Sequence, residues 1–436
     1  MRRISCFRHV LLAVALAAAA ACQRTETTAT PPAAGDASRA PAAAAARPTP
    51  KVRVSGWYWL NSAPKEDWAR DFKQMAALGF TDVLFGWGLD AAAFGTRVAD
   101  STEAIRLAHE AGLGSYLCIW HPTHNNLERK AEFQQVSPSG QVLFTFDTFN
   151  PVWRQTQWKE YLQRVARAYR NQPGFAGYVF DDSFMQGGVG TQGGPGVKKG
   201  DDLLSYGAFE KKAFGEPLPT SKADKRWEEW IAKRAEWWED WARDTVGFIR
   251  EIDPDKAHEI YLEDHDYILD PIHREKKGLD FARVAKHFDA VGAYTMAEYD
   301  DSPDTGKKAV ERTLRAIRKI REIVGPDRKI IYTFWIANPK EEFDPQPAKY
   351  PTVEQIAQIA DAARAEGITH LDMYGYRIGD FRVTDENWKQ KWPGTGPSYP
   401  VTGQFPNKFL WDRPALHDGF GRYFRGLNAA PAGGTR

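Results

Sequence analysis

Two adjacent carboxylates end a short apolar run in the middle of the chain. Tyr178-Val179-Phe180 leads directly into Asp181 and Asp182. The apolar run predicts a buried strand, and an unpaired carboxylate at a buried position costs several kcal/mol or takes up a proton. Paired carboxylates whose pKa values are pushed apart can serve as a catalytic acid and base. The sequence therefore predicts a catalytic site at the end of this strand.

The alternation of side chains along a strand limits what this pair can do. Asp182 shares one face of the strand with Phe180, and Asp181 shares the other face with Val179. We expect Asp182 to face the site, with Asp181 as its partner only if the strand breaks at Asp182. The alternative is that one of the two caps the following turn.

The surrounding sequence indicates the fold that positions these carboxylates. Short apolar runs alternate with amphipathic stretches across residues 51–427. This alternation predicts parallel strands joined by crossover helices, and eight such units predict an α/β fold of the (β/α)8 barrel class. An open doubly wound sheet is the alternative. The predicted strands are Val52–Leu60, Thr81–Trp87, Leu113–Trp120, Phe175–Asp182, Glu259–Glu263, Ala290–Met296, Lys329–Trp335 and His370–Tyr374, with long segments after strands three, four and eight.

Aromatic and polar residues gather at the carboxyl ends of these strands, where barrel enzymes place their sites. Sugar rings stack on aromatic side chains, and their hydroxyl groups need polar partners. The pattern therefore predicts a carbohydrate substrate, although each aromatic residue alone could be core filler. The predicted substrate-binding residues are Trp57, Trp59, Trp87, Trp120, His121, Tyr261, Tyr294, Trp335, Asp372, Tyr374 and Arg377.

The overall pattern resembles the (β/α)8 glycoside hydrolases, and Phe180-Asp181-Asp182 is similar to the paired aspartates of glycoside hydrolase family 84. That resemblance implies that Asp181 polarises the acetamido group of the substrate and that Asp182 is the acid/base. The opening Glu-Gly-Phe-Tyr-Gly motif of the family is replaced here by Ser55-Gly56-Trp57-Tyr58-Trp59. The family is therefore not assigned.

Two other resemblances draw on neighbouring strands. Glycoside hydrolases of the α-amylase type have an Asp after strand four and a Glu after strand five, which implies Asp181 or Asp182 as nucleophile and Glu263 as acid. Barrels of the α-galactosidase type have the acid after strand six, where Glu298 stands. The candidate catalytic residues are thus Asp182, Asp181, Glu263 and Glu298, and the expected activity is hydrolysis of glycosidic bonds in an oligo- or polysaccharide.

Two rival functions stay open. His121 and His124 follow strand three and Asp264-His265-Asp266 follows strand five, so a metal-dependent hydrolase is conceivable. A barrel that binds glycans without catalysis is the other alternative. We expect no cofactor and no metal. The net charge of +1 argues against a nucleic-acid partner.

The amino terminus predicts export. Basic residues precede an apolar segment over Val10–Ala21, and Ala19-Ala20-Ala21-Cys22 resembles the lipobox of bacterial lipoproteins. We expect a signal peptide over residues 1–22, lipidation of Cys22 as the sole membrane attachment, and location at the outer membrane. Residues 23–50 read as a disordered Ala/Pro/Thr-rich tether and residues 428–436 as a disordered tail. We expect a monomer.

Overall fold

Parallel strands close a barrel in the computed structural model, which describes residues 51–86, 94–120, 127–137, 140, 142–181, 183, 205–219, 221–264, 277–295, 305–335, 352–378, 408–409 and 414–429. Within these ranges, eight strands pair in order around the barrel, and the first strand also pairs with the eighth. The (β/α)8 prediction is confirmed. The barrel strands are β1 (Arg53–Trp59), β2 (Asp82–Gly86), β3 (Gly114–Trp120), β6 (Phe175–Asp181), β8 (Ala257–Asp264), β9 (Ala290–Thr295), β10 (Lys329–Trp335) and β11 (His370–Ile378).

Helices surround the barrel and follow its strands. They are α1 (Trp68–Leu78), α2 (Phe94–Glu110), α3 (Pro151–Trp153) continued by a π-helical turn (Arg154–Trp158) into α4 (Lys159–Tyr169), α5 (Ala208–Phe214), α6 (Trp227–Arg250), α7 (Phe281–Ala285), α8 (Thr305–Val324), α9 (Val353–Ala365) and α10 (Pro414–Asn428). No helix in the described part of the chain combines the length and apolar character needed to cross a bilayer. The predicted signal segment, the tether and residues 430–436 lie outside the described residues.

Local signals set the ends of several helices. The Asn150 side chain accepts hydrogen bonds from the first amides of α3, and Pro151 occupies its first turn. Thr352 and Gln355 form a reciprocal capping box at the start of α9. Helix α1 stops at Gly79, whose φ of 95° favours glycine, and a side chain there would meet the backbone of Arg425. The sequence thus fixes where these helices begin and end.

Where burial is described, the barrel strands are buried on both faces over most of their length. Phe180 packs outward against Phe288, with ring centroids 5.5 Å apart, whereas Val179 belongs to the cluster that fills the barrel interior. Cys118, the free cysteine of the described residues, is also buried in this inner cluster. The inner cluster consists of Trp57, Trp59, Leu84, Tyr116, Cys118, Trp120, Val179, Tyr261, Ala290, Ile331 and Tyr374.

A small antiparallel sheet adds to the barrel where the sequence predicts only long connections. Strands β4 (Gln134–Val136) and β5 (Val142–Phe146) follow barrel strand three, and β7 (Tyr206–Gly207) follows barrel strand four. They pair in the order β5-β4-β7. A further strand, β12 (Lys408–Phe409), pairs antiparallel with the end of β11. The small sheet therefore ties together the segments that follow two neighbouring barrel strands.

A buried ion pair secures the seam where β1 meets β11. The Arg377 guanidinium donates to the Asp71 carboxylate of α1 and, through Nε, to the Ser62 carbonyl at 3.2 Å. The Tyr58 hydroxyl donates to the same carboxylate at 2.8 Å. At the outer edge of the seam, the Asn428 side chain bonds both backbone groups of Val52, so α10 is ordered through that residue.

We expect Asp71→Ala to lower the free energy of unfolding by about 3–5 kcal/mol, because it leaves the Arg377 guanidinium buried without its carboxylate. Asp67→Ala is the matched control, since Asp67 pairs with Arg70 at the surface, with a nitrogen–oxygen distance of 2.9 Å. The control should cost less than about 1 kcal/mol. Urea unfolding of the two variants measures the difference, and equal losses would contradict the assignment.

Candidate functional site

Four aromatic rings meet inside the carboxyl-terminal half of the barrel. The Trp57 indole is central, with ring centroids 6.0 Å from Trp120, 5.9 Å from Tyr261 and 5.3 Å from Tyr374. Trp59 lies next to this group, 6.4 Å from the Tyr374 ring. These five rings, called the aromatic floor below, come from barrel strands one, three, five and eight.

Exposure differs across the aromatic floor. Trp57 and Trp59 are 0% exposed and Tyr261 is 1% exposed, whereas Trp120 and Tyr374 retain 8% and 6%. The structure thus brings these five predicted substrate-binding residues together. The Trp57, Trp59 and Tyr261 rings are fully covered, and Trp120 and Tyr374 are the two rings that keep some surface for a ligand to touch. Their role in binding sugars stays a prediction.

The Asp372 carboxylate holds the aromatic floor from below. It accepts hydrogen bonds from Ser55 Oγ at 2.6 Å, from Trp57 Nε1 at 2.6 Å, from the Tyr261 hydroxyl, and from Thr333 Oγ1 at 3.3 Å. Asp372 is fully buried. Burial raises its pKa, and the hydrogen bonds from Ser55, Tyr261 and Trp57 oppose that shift. Its protein donors indicate that Asp372 orients the floor, although the sequence pattern predicted contact with substrate.

A second polar group lies nearer the amino-terminal end of the lumen. Arg53 Nη1 donates to Glu259 Oε1 at 2.5 Å, and Arg53 Nε lies 3.4 Å from Asp82 Oδ2. The same guanidinium stacks over the Tyr116 ring, 3.7 Å from its centroid. Burial raises the pKa of Glu259, and the neighbouring Arg53 opposes that shift. Polar residues at this end of a barrel usually support stability.

Asp181 occupies the lumen face at the mouth end of the fourth barrel strand. Val179 lies in the inner cluster and Phe180 packs outward, so alternation places Asp181 on the inner face. Its backbone pairs in register with Trp120 of β3, and the residue is 3% exposed. The structure thus places Asp181 on the lumen face, and the expectation that Asp182 faces the lumen stays a prediction. Asp182 itself lies outside the described residues.

Glu263 lies near the mouth end of the neighbouring strand. In the pairing of β6 with β8, Phe180 is opposite Ile260, and Glu263 follows three residues later in β8. The pairing of β8 with β9 shifts register between Tyr261 and Asp264, so β8 is irregular around Glu263, but β6 and β8 are neighbours and both end at the mouth. The backbone therefore brings these two candidate catalytic residues to one side of the mouth.

The remaining predicted site residues differ in how far the structure describes them. Tyr294 and Trp335 lie in β9 and β10, and Trp335 pairs in register with Tyr374. Within the described ranges, no three His, Cys, Asp or Glu side chains come together as metal ligands. The predicted residues outside these ranges are Asp182, Trp87, His121, Glu298 and Cys22, together with His124, His265 and Asp266 of the metal alternative.

Arg377 lies elsewhere than the sequence predicts. Its guanidinium packs on the outer side of the barrel, between β11 and α1, in the ion pair with Asp71. Gly375, with φ of 99°, lies two residues before it, and the register of β11 against β1 shifts between Met373 and Arg377. This irregularity separates Arg377 from the lumen-facing Tyr374. We therefore assign Arg377 to the barrel seam and not to the site.

Sequence reasoning did not identify Ser55 and Thr333, which both donate to Asp372. Ser55 could have been found, because it alternates with Trp57 and Trp59 along β1 and must share their face. Thr333 gave no comparable signal, since β10 is apolar on both sides of it. Small hydroxyl residues inside an apolar strand are easily overlooked.

Comparisons with known proteins support the fold and no finer assignment. No family model and no curated protein matches the chain. Solved structures that it resembles include a β-galactosidase from the haloarchaeon Halorubrum lacusprofundi (16% identity, TM-score 0.54, 87% of this chain and 58% of that one). Others are a GH42 β-galactosidase from G. stearothermophilus (12%, 0.56, 86% and 56%) and an endo-β-1,4-mannanase from Thermotoga petrophila (11%, 0.50, 88% and 78%). The chain thus spans little more than half the length of these β-galactosidases.

We expect Asp372→Asn to destabilise the protein by about 1–3 kcal/mol, because the amide offers one acceptor oxygen where the carboxylate offers two to its four donors. Thr333→Val is the control, since it removes the longest of the four hydrogen bonds to Asp372, at 3.3 Å. It should cost no more than about 1 kcal/mol. Denaturant unfolding measures both, and an Asp372→Asn loss no larger than that of the control would show that the carboxylate does not organise the floor.

Proposed function

We propose that this protein hydrolyses glycosidic bonds in an oligo- or polysaccharide at the mouth of its barrel. The position of Asp181 carries the proposal: its strand presents a carboxylate on the lumen face, in register with Trp120 and at the end of the barrel that holds the aromatic floor. Glycoside hydrolysis needs a carboxyl group to protonate the leaving oxygen and a second group to act as nucleophile or to activate water. Aromatic rings beside carboxylates suit a sugar ring and its hydroxyl groups.

Glu263 is the proposed partner of Asp181. The two residues stand on adjacent strands, each near the mouth end of its strand. Side chains extending from such anchors can hold their carboxyl groups at the roughly 5 Å spacing of retaining enzymes or at the roughly 6.5–9.5 Å spacing of inverting ones. In this proposal Asp182 and Glu298 have no catalytic role.

The structural neighbours are consistent with this reaction class. The β-galactosidases and the endo-β-1,4-mannanase that share the barrel fold act, by their names, on glycosides. A shared barrel alone does not fix activity, because barrels host many functions. Asp181 and the aromatic floor therefore support hydrolysis most directly, and the names of the structural neighbours agree with that reaction class.

The proposed setting is the cell envelope of a bacterium. A basic start, the apolar segment Val10–Ala21 and Cys22 support export and lipidation, with the outer membrane as the site of anchoring. A glycan in that compartment would then reach the barrel from outside the cytoplasm. Metabolic labelling with a radioactive fatty acid tests this directly, because Cys22→Ser should abolish the label.

We expect Asp181→Asn and Glu263→Gln each to lower kcat by about 10²- to 10⁴-fold, because each removes a proton-transfer or nucleophilic group. The assay is hydrolysis of a panel of 4-nitrophenyl α- and β-glycosides, including N-acetylated sugars. Asp182→Asn is the matched control, since it makes the same change at the next residue, and it should retain most of the activity. Loss of activity in Asp182→Asn alone would refute the assignment of Asp181.

The same panel separates catalysis from simple binding. If the protein binds oligosaccharides in calorimetry but releases no 4-nitrophenol at any pH between 4 and 9, the proposed hydrolysis is wrong. Unchanged binding by Asp181→Asn would then favour a glycan-binding protein. Reduced affinity after Trp120→Ala would still place the sugar on the aromatic floor.

Chelation tests the metal-dependent alternative. We expect dialysis against EDTA to leave the rate of glycoside hydrolysis unchanged, because the proposed mechanism uses only carboxyl groups. The control is re-addition of Zn²⁺, Mn²⁺ or Ca²⁺ to the dialysed protein, which should not raise the rate. A loss on dialysis that one of these ions restores would support metal-dependent hydrolysis instead.

A further inference from the structure

Three buried charged residues connect segments that surround the mouth of the barrel. Asp147 follows β5, Glu210 lies in α5 and Arg234 lies near the start of α6, and all three are 0% exposed. The segments that carry them lead from the carboxyl ends of barrel strands three and four to the helices that follow. The cluster therefore lies on the same side of the barrel as the proposed site, but outside the lumen.

Arg234 joins the segments after strands four and five. Its Nη1 donates to Glu210 Oε2 at 2.9 Å and to the Ser205 carbonyl at 3.3 Å, and its Nε donates to the Lys277 carbonyl at 2.9 Å. The guanidinium also stacks over the Trp230 ring, 4.8 Å from its centroid. The Arg234 side chain thus bonds to the segment after strand four and to the segment after strand five.

Asp147 brings in the segment after strand three. Its carboxylate accepts a hydrogen bond from the Phe149 amide at 3.3 Å, and it packs so closely on Gly207 that a side chain at that position would collide with it. The Gly207 amide in turn donates to Glu210 Oε1 at 3.2 Å. Two buried carboxylates therefore adjoin the same glycine, and their mutual repulsion disfavours ionising both.

The charge state of this cluster changes near neutral pH. Burial raises the pKa of Asp147 to about 7, and the negative charge of Glu210 adds to the shift. The backbone amides of Phe149 and Phe209 and the Arg234 guanidinium oppose it. Arg154 also faces this group, since it donates to the Phe149 carbonyl at 2.6 Å and pairs with Asp244 at 3.1 Å.

We propose that Asp147, Glu210 and Arg234 form a proton-dependent clamp that positions the segments following barrel strands three, four and five. The clamp holds these segments against the barrel while Asp147 is protonated. The folded-state pKa of Asp147 lies above its unfolded value, so the stabilisation is complete below about pH 4 and is lost as the pH rises to about 7. The inference does not depend on the proposed hydrolysis.

Hydrogen exchange of the purified protein tests the clamp. At each pH, the protection factors of the backbone amides in residues 205–214 are corrected for intrinsic exchange. We expect them to fall on the order of a hundredfold between pH 5 and pH 8, because opening lets Asp147 ionise at its ordinary pKa. Asp147→Asn should remove this dependence and keep protection high at pH 8. Asp255→Asn, the same change at an exposed acid, should behave like the unmodified protein.

Glu210→Gln provides an independent variant. It removes the negative charge beside Asp147 and turns an amide N–H group towards one of two donors, the Gly207 amide or the Arg234 guanidinium, so protection should fall at every pH. Because Asp147 should then ionise at lower pH, the loss of protection between pH 5 and pH 8 should still shrink severalfold. If Asp147→Asn does not fold, this variant decides the question. Equal protection of the unmodified protein at both pH values, or an undiminished pH dependence in Glu210→Gln, would overturn the clamp.

Discussion

The buried Asp372 carboxylate is the constraint on which the interior of this barrel depends. A carboxylate that is removed from water must be met by donors, and here they come from Ser55 and Trp57 of β1, Tyr261 of β8 and Thr333 of β10. Strands on opposite sides of the lumen are thereby linked through one residue of β11. The same bonds fix the polar edges of Trp57 and Tyr261, so the orientation of the aromatic floor follows from satisfying a single buried charge.

The sequence predicted the barrel because its signals are local and repeated. Barrel strands contain apolar runs such as Phe175–Asp181, and helices follow them along the chain. The small sheet gave no such signal. Strands β4 and β7 have three and two residues, and Gln135 pairs with Gly207 across a long stretch of chain. Such pairing depends on tertiary contacts, which periodicity does not reveal.

The site was predictable in position but not in orientation. Positions at the strand ends predicted one shared site for Trp57, Trp120, Tyr261 and Tyr374. The structure gathers these four residues in the lumen. The choice between Asp181 and Asp182 was different, because both faces of a barrel strand are buried and hydrophobicity does not tell inside from outside. Phe180 and Val179 are equally apolar, yet only Val179 points inward. Arg377 was expected at the site for a related reason. The irregularity at Gly375 interrupts the alternation of side chains along β11, and the sequence does not reveal that interruption.

Two kinds of element form the mouth of the barrel: the ends of the paired barrel strands, and the connecting segments, whose attachment depends on charge. Asp181 belongs to a strand that is paired on both sides, with β3 and with β8, and its backbone can move only if the barrel itself opens. The segments after strands three to five are attached instead through Arg234 and its carboxylate neighbours. A change of pH near neutrality therefore affects the attachment of these segments before it affects the strand that carries Asp181. In the proposed enzyme, substrate access and the position of Asp181 would then respond separately to pH, because different elements hold them.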